Sequence, residues 1–288
     1  MYWCIICSFF SCNYIGGDMS LLGDYKHSAS SGNKIVNAPQ LFIAEKIFKI
    51  KQPYGDPAKR GNVAEPMGYY ILAKDPSKEQ AIDYATKKAK KIGLKSKDEL
   101  KFAIECGFKI AEFLQSMQLA RPNKYQEKVF CKGIDVGLKK DTTGFLDFTY
   151  SRIKAESKIL DPITTEPYLT VDIKTTKRVP SSLETCNQDH ILQQALYWKL
   201  TGENRRFALL YVSDKKTNYF EINEARLKEG WEIMKFNLQL IERLDEKCKS
   251  KADWLLSFPY PDLSSFYFSD MKFKQKIINL YKGVIENG

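Results

Sequence analysis

The chain has 288 residues, 43% hydrophobic and 13% aromatic, which suits one large domain around a packed core. Lys and Arg number 45 against 35 Asp and Glu, and the net charge of +10 favours a polyanionic partner, nucleic acid or an acidic membrane surface, with a lysine-rich solvated surface as the plain alternative. No apolar run reaches the ~18 residues that span a bilayer, only two histidines occur, and of seven cysteines only Cys4 and Cys7 are closely paired, so a membrane span, histidine-based chemistry and a zinc site are disfavoured and a reducing compartment is expected.

Residues 1–18 are apolar without a basic leader, and the chain turns lysine-rich after Met19. They read as a translated upstream extension with Met19 as the start, or as a small apolar anchor. Residues 21–36 are small and polar, so 1–35 is expected to be a mobile or mis-started extension. Residues 38–50 suit a short amphipathic helix, and "KQPYGDPAKRG" a turn-rich link. "NVAEPMGYYILAK" predicts a helix with Pro66 in its first turn, where proline is tolerated. Two more helices follow over 75–93 and 96–120; in the second, Phe102, Cys106, Ile110 and Leu114 recur at fourfold spacing.

Near residue 124 the pattern changes from helix to strand. "YQEKVFCKGI" and "TGFLDFTYSRI" are strand candidates, 154–167 a connecting loop, and "YLTVDIKTT" a third strand. "DHILQQALYWKLTG" is a helix that Gly202 ends. "RFALLYVS" and "NYFEI" are strands joined by "DKKT". A long helix covers about 223–247 and further helix closes the chain. The expected fold is α/β: a small mixed central sheet flanked by helices. It divides into a helical N-terminal region (36–123), a core (124–222) and C-terminal helices (223–288), with 36–288 as one compact domain.

Two strands carry acids in apolar company. Asp147 sits among Phe145, Leu146 and Phe148, and Asp172 follows Val171. A carboxylate there is costly unless paired or bound to a cation, and two on adjacent strands repel unless a divalent ion relieves them. Carboxylate, carbonyl and water ligands suit Mg2+ or Mn2+. Lys174 shares a strand face with Asp172, since side chains alternate. It is placed to orient a water or to stabilise charge on phosphorus oxygens; a structural Asp–Lys pair is the plain alternative. On the next helix Gln193 and Tyr197 are four apart, and His190 extends the stripe by three.

In order, Gly144-x-x-Asp147, Asp172-x-Lys174 and Gln193-x-x-x-Tyr197 resemble the PD-(D/E)XK nuclease superfamily, in its RecB-like branch, which is similar to lambda-type phage exonucleases. The motifs span 144–198, and Leu146 replaces the proline of the superfamily's name. The resemblance implies a restriction-endonuclease-like core. It implies Asp147 and Asp172 as metal ligands with the Ile173 carbonyl, Lys174 as the catalytic lysine, and Gln193, Tyr197 and His190 on the substrate side. Glu65, in "RGNVAEPMGYY", is the candidate for the further acid that this branch carries upstream. The implied activity is Mg2+- or Mn2+-dependent DNA hydrolysis by an exonuclease of phage-type recombination or repair. DNA is the expected partner, with a single-strand annealing or recombination protein and an oligomer as further possibilities. The expected setting is the bacterial or phage-infected cytosol, off the membrane. Only Cys248 follows residue 190, so no iron–sulfur cluster is expected. The alternatives are a catalytically weak DNA-binding protein and a viral accessory protein on the same fold.

Overall fold

The computed structural model describes residues 20–53, 55–119, 121–153 and 165–287. Their centre is a five-stranded mixed sheet in the order β1 (Lys124–Cys131), β2 (Thr142–Ile153), β3 (Thr165–Thr175), β4 (Arg206–Val212) and β5 (Thr217–Ile222). All neighbours are antiparallel except β3 and β4, which run parallel. A parallel pair needs a long crossover, and helix α6 (Gln188–Leu200) supplies it.

Helices cover both faces. On one face α3 (Asp56–Lys74) packs on α4 (Lys78–Ile92), α5 (Lys97–Ser116) and β3. Val63, Met67, Ala103 and Ile110 there meet Phe148, Val171 and Leu210 of the sheet in one apolar core. On the other face a second core joins α6 to α7 (Glu224–Lys247) through Leu192, Leu196, Trp231 and Leu238, above Leu146, Phe207 and Leu209. This core also takes in α1 (Ala29–Asn37), α2 (Pro39–Lys46), α8 (Lys251–Leu256) and α9 (Met271–Asn287). The α/β architecture with helical regions at both ends is the one expected.

Several elements differ from the sequence reading. The polar stretch before residue 36, expected to be mobile, carries helix α1. Ser28 caps α1 by accepting the Ser31 amide, and Ile35 is fully buried. Gly32 lets α1 lie against α7, because a Cβ there would stand 2.3 Å from Met234 Sδ. Residues 1–18 lie outside the described residues, as does 154–164 of the loop expected at 154–167. Helix α3 begins at Asp56, six residues before the expected start, with a proline in its first turn. That proline is Pro57, so Pro66 is interior and Glu65 lies mid-helix rather than at its N-terminal end. Pro66 has no N–H for the carbonyl of Asn62 four residues back. Strand β3 starts at Thr165, three residues early, and α8 occupies a stretch for which no element was expected.

Candidate functional site

Strands β2 and β3 pair from Ile153–Thr165 as far as Phe148–Val171. Beyond that rung β3 stays with β4 up to Thr175–Val212. The first residue past the rung on each strand is an acid, Asp147 on β2 and Asp172 on β3. The Ile173 amide donates to Asp147 Oδ2 at 3.0 Å, so a side chain completes the hydrogen bonding where the strands part. Alternation also breaks here. Leu146 enters one core and Phe148 the other, although two residues apart on a strand should share a face.

The face of β3 is set by its apolar residues. Leu169, Val171 and Ile173 point to the α3–α5 core, so Asp172 and Lys174 point the opposite way, towards α6. Asp172 is 1% exposed. Lys174 Nζ lies 2.6 Å from Asp172 Oδ2 and donates to Gln193 Oε1 at 2.9 Å. Gln193 Nε2 donates to the Tyr197 hydroxyl at 3.0 Å. Three motif residues on α6 and β3 thus form one relay of contacts ending on Asp172. Gly144, the glycine of the first motif, makes room for it: a Cβ there would stand 2.3 Å from Tyr197 Cε1.

Glu65 reaches the same place from α3. Gln126 of β1 donates one amide nitrogen to both Glu65 Oε1, at 2.6 Å, and Asp147 Oδ1, at 3.0 Å. The two carboxylate oxygens are therefore no farther apart than those contacts laid end to end, inside the roughly 8 Å within which two carboxylates can share an ion. His190 bonds outside both sets. Its Nδ1 is 2.7 Å from the Tyr211 hydroxyl. It lines a cleft of about 490 Å³ together with Glu65, Lys174, Asn62 and Arg178. The basic run after β3 is divided: Arg178 faces this cleft, whereas Lys177 joins Arg60 on Glu99, at 2.8 and 3.0 Å.

The electrostatics follow from crowding. Burial, then Asp172 and Glu65, push Asp147 well above the ordinary carboxylate range. Burial also raises Glu65, with Asp172 adding to it and the Gln126 amide opposing. Burial disfavours the charge on Lys174, but Asp172 and Asp147 outweigh it and hold the ammonium above its ordinary pKa. Burial and the nearby Lys174 charge depress His190 to about 4.

Among the described residues, no three His, Cys, Asp or Glu side chains are arranged as a ready cation site. The Gln126 amide lies between Glu65 and Asp147. The donors nonetheless suit a hard divalent ion. Asp172 is buried, and among the described residues its Oδ1 has no hydrogen-bond partner, while Oδ2 is held by the Lys174 ammonium. Mg2+ asks for only one or two carboxylates, with waters completing its shell. Glu65, Asp147, Asp172, Lys174, Gln193 and Tyr197 are brought together; Gln126 is the member that the sequence reading lacked. An exposed glutamine in an edge strand carries no pattern of its own. Its marks are a φ of 53° and its place opposite Asp147, between the rungs Tyr125–Phe148 and Glu127–Leu146.

No family model and no curated protein matches the chain. Among solved structures, it is similar to the crystal structure of a "Putative exonuclease" from Eubacterium rectale. The TM-score is 0.51 and the identity 12%, over 77% of this chain and 82% of that one. At that identity the likeness is one of fold. The crystal structure of SSO0001 overlaps with a TM-score of 0.31 and 14% identity, over 69% of this chain and 82% of that one, too low for a shared fold to be argued.

Proposed function

We propose that the chain is a metal-dependent deoxyribonuclease of the PD-(D/E)XK type, acting on DNA as an exonuclease in recombination or repair. The observation that carries this reading is the convergence at the parting of β2 and β3. Glu65 of α3, Asp147 of β2, Asp172 and Lys174 of β3, and Gln193 and Tyr197 of α6 come from four elements to one place. The fold shared with the Eubacterium rectale protein is consistent with it.

On this reading Asp147 and Asp172, with Glu65 and the Ile173 carbonyl, hold Mg2+ or Mn2+. The bound ion would supply an activated water and neutralise charge on the phosphate. Lys174 keeps its proton at working pH and presents N–H groups to a phosphorus oxygen as charge builds there. Gln193 and Asp172 hold Nζ in place, and Tyr197 holds Gln193. His190, neutral above about pH 4, and Arg178 line the cleft beside Lys174, where on this reading they would contact the DNA strand. The net charge of +10 supplies the general attraction for phosphates. A recombination protein as partner, an oligomer and a cytosolic setting follow from the resemblance. Among the described residues no helix is long and apolar enough to cross a membrane.

Digestion of 5′-labelled, 3′-labelled and circular DNA in Mg2+ tests the reading. It predicts loss of label from one end of linear DNA, slow or no attack on circles, and no activity in chelator. Equal activity in chelator would refute the metal dependence, and fast attack on circles the exonuclease assignment.

A further inference from the structure

Gln126 combines three properties that a side chain serving only to pack a strand does not need. Its backbone is in the left-handed region, φ 53°, inside a β-strand and on a residue other than glycine. Its side chain is exposed. Its amide nitrogen nevertheless reaches two carboxylates at once, Glu65 at 2.6 Å and Asp147 at 3.0 Å. A carboxamide nitrogen carries two hydrogens, one for each acceptor. Two neighbouring carboxylates are thereby held together by a neutral donor.

We infer that Gln126 is a positioning residue that competes with a divalent cation: its amide holds Glu65 and Asp147 in place and withdraws when they take an ion. The inference rests on the reading of this site as a cation site. The chemistry of the two occupants explains the exchange. An amide contributes partial charges and two hydrogen bonds, whereas a divalent ion contributes full charge to the same oxygens. Because the side chain is exposed, it has solvent to move into. Closing the pair on the amide lowers the fraction of molecules ready to bind the ion, and apparent affinity falls by that fraction. In return the acids stay near each other, and Lys174 keeps its contacts with Asp172 and Gln193.

The test uses the full chain and Mn2+ as the probe, with two variants. Gln126→Met keeps length and backbone but removes the donor; Gln126→Gly removes the donor and relaxes φ. Calorimetric titration should show Mn2+ binding tighter by at least about ten-fold in both variants, since both hydrogen bonds of the amide to the acids are lost. In chelator both should melt below wild type, and the gap should close as Mn2+ saturates. Unchanged or weaker Mn2+ binding in the variants, with wild type binding normally, would make Gln126 merely structural and overturn the inference. Wild type failing to bind Mn2+ at millimolar concentration would instead overturn the cation site itself. If Gln126→Met does not fold, Gln126→Gly decides the question alone.

Discussion

Gly144→Ala should damage catalysis more than it damages the fold, and its reach can be followed atom by atom. Gly144 lacks a positive φ, so alanine suits the backbone and the cost is steric. The new Cβ would meet Tyr197 at 2.3 Å from Cε1, 2.9 Å from Cδ1 and 3.2 Å from Cζ. Ordinary carbon contacts are about 3.5–4.0 Å, so the ring must retreat by about 1 Å. Tyr197 is 6% exposed and has little room. Overpacking of this kind costs about 1–3 kcal/mol of stability. The hydroxyl moves with the ring, and with it Gln193 and then the Lys174 ammonium. A displacement of ~1 Å at a reacting group can cost ~100-fold in rate. Chemical denaturation and Mg2+-dependent DNA digestion measure the two effects separately. Tyr197→Ala removes the clash, so in that background Gly144→Ala should destabilise little further. Additive losses in the double variant would refute this account of the motif glycine, since residues in contact should couple.

Glu65→Gln should lower cleavage sharply and raise the Mn2+ concentration required, yet leave the melting temperature in chelator unchanged or higher. Glu65 is already raised by burial and by Asp172, so removing its charge relieves the folded state; a lower melting temperature with normal turnover would contradict it. His190 should stay neutral down to about pH 4. Its folded pKa lies below the ordinary 6.5, so the stability it contributes is present above about 6.5 and is lost as pH falls towards about 4. Histidine ring resonances checked against His190→Asn report this directly, and a midpoint near 6.5 would be inconsistent. DNA affinity should fall steeply with salt as lysines and arginines release counterions from phosphates; a flat salt response would mean that the positive charge is not the binding surface.

What the sequence made legible and what it hid have physical causes. Asp172 and Lys174 could be placed on one face because strand alternation holds through "VDIKT", and Gln193 and Tyr197 because a helix brings residues four apart together. The alternation fails at Asp147, where Leu146 and Phe148 enter different cores, so pattern alone could not give the direction of its side chain. The start of helix α3 is hidden because Gly55 and Pro57 look like turn residues, although Pro57 is the proline favoured in a first helical turn. The serine-rich start of α1 looked mobile because its helix signal is a cap, Ser28 on the Ser31 amide, and its packing depends on a glycine whose neighbour is about 200 residues away. Gln126 was invisible for a different reason: its role lies in a backbone dihedral and in a register between β1 and β2, neither of which one position in a sequence records.

The central claim, that the acids at the parting of β2 and β3 carry DNA hydrolysis, is tested most directly by Asp172→Ala. Asp172 is buried, and among the described residues its one side-chain partner is the Lys174 ammonium. Cleavage of linear DNA in Mg2+ should disappear in this variant, while DNA binding measured in Ca2+ stays at the wild-type level, because the change leaves the lysines and arginines behind the net charge of +10 in place. Digestion by Asp172→Ala at the wild-type rate would contradict the account.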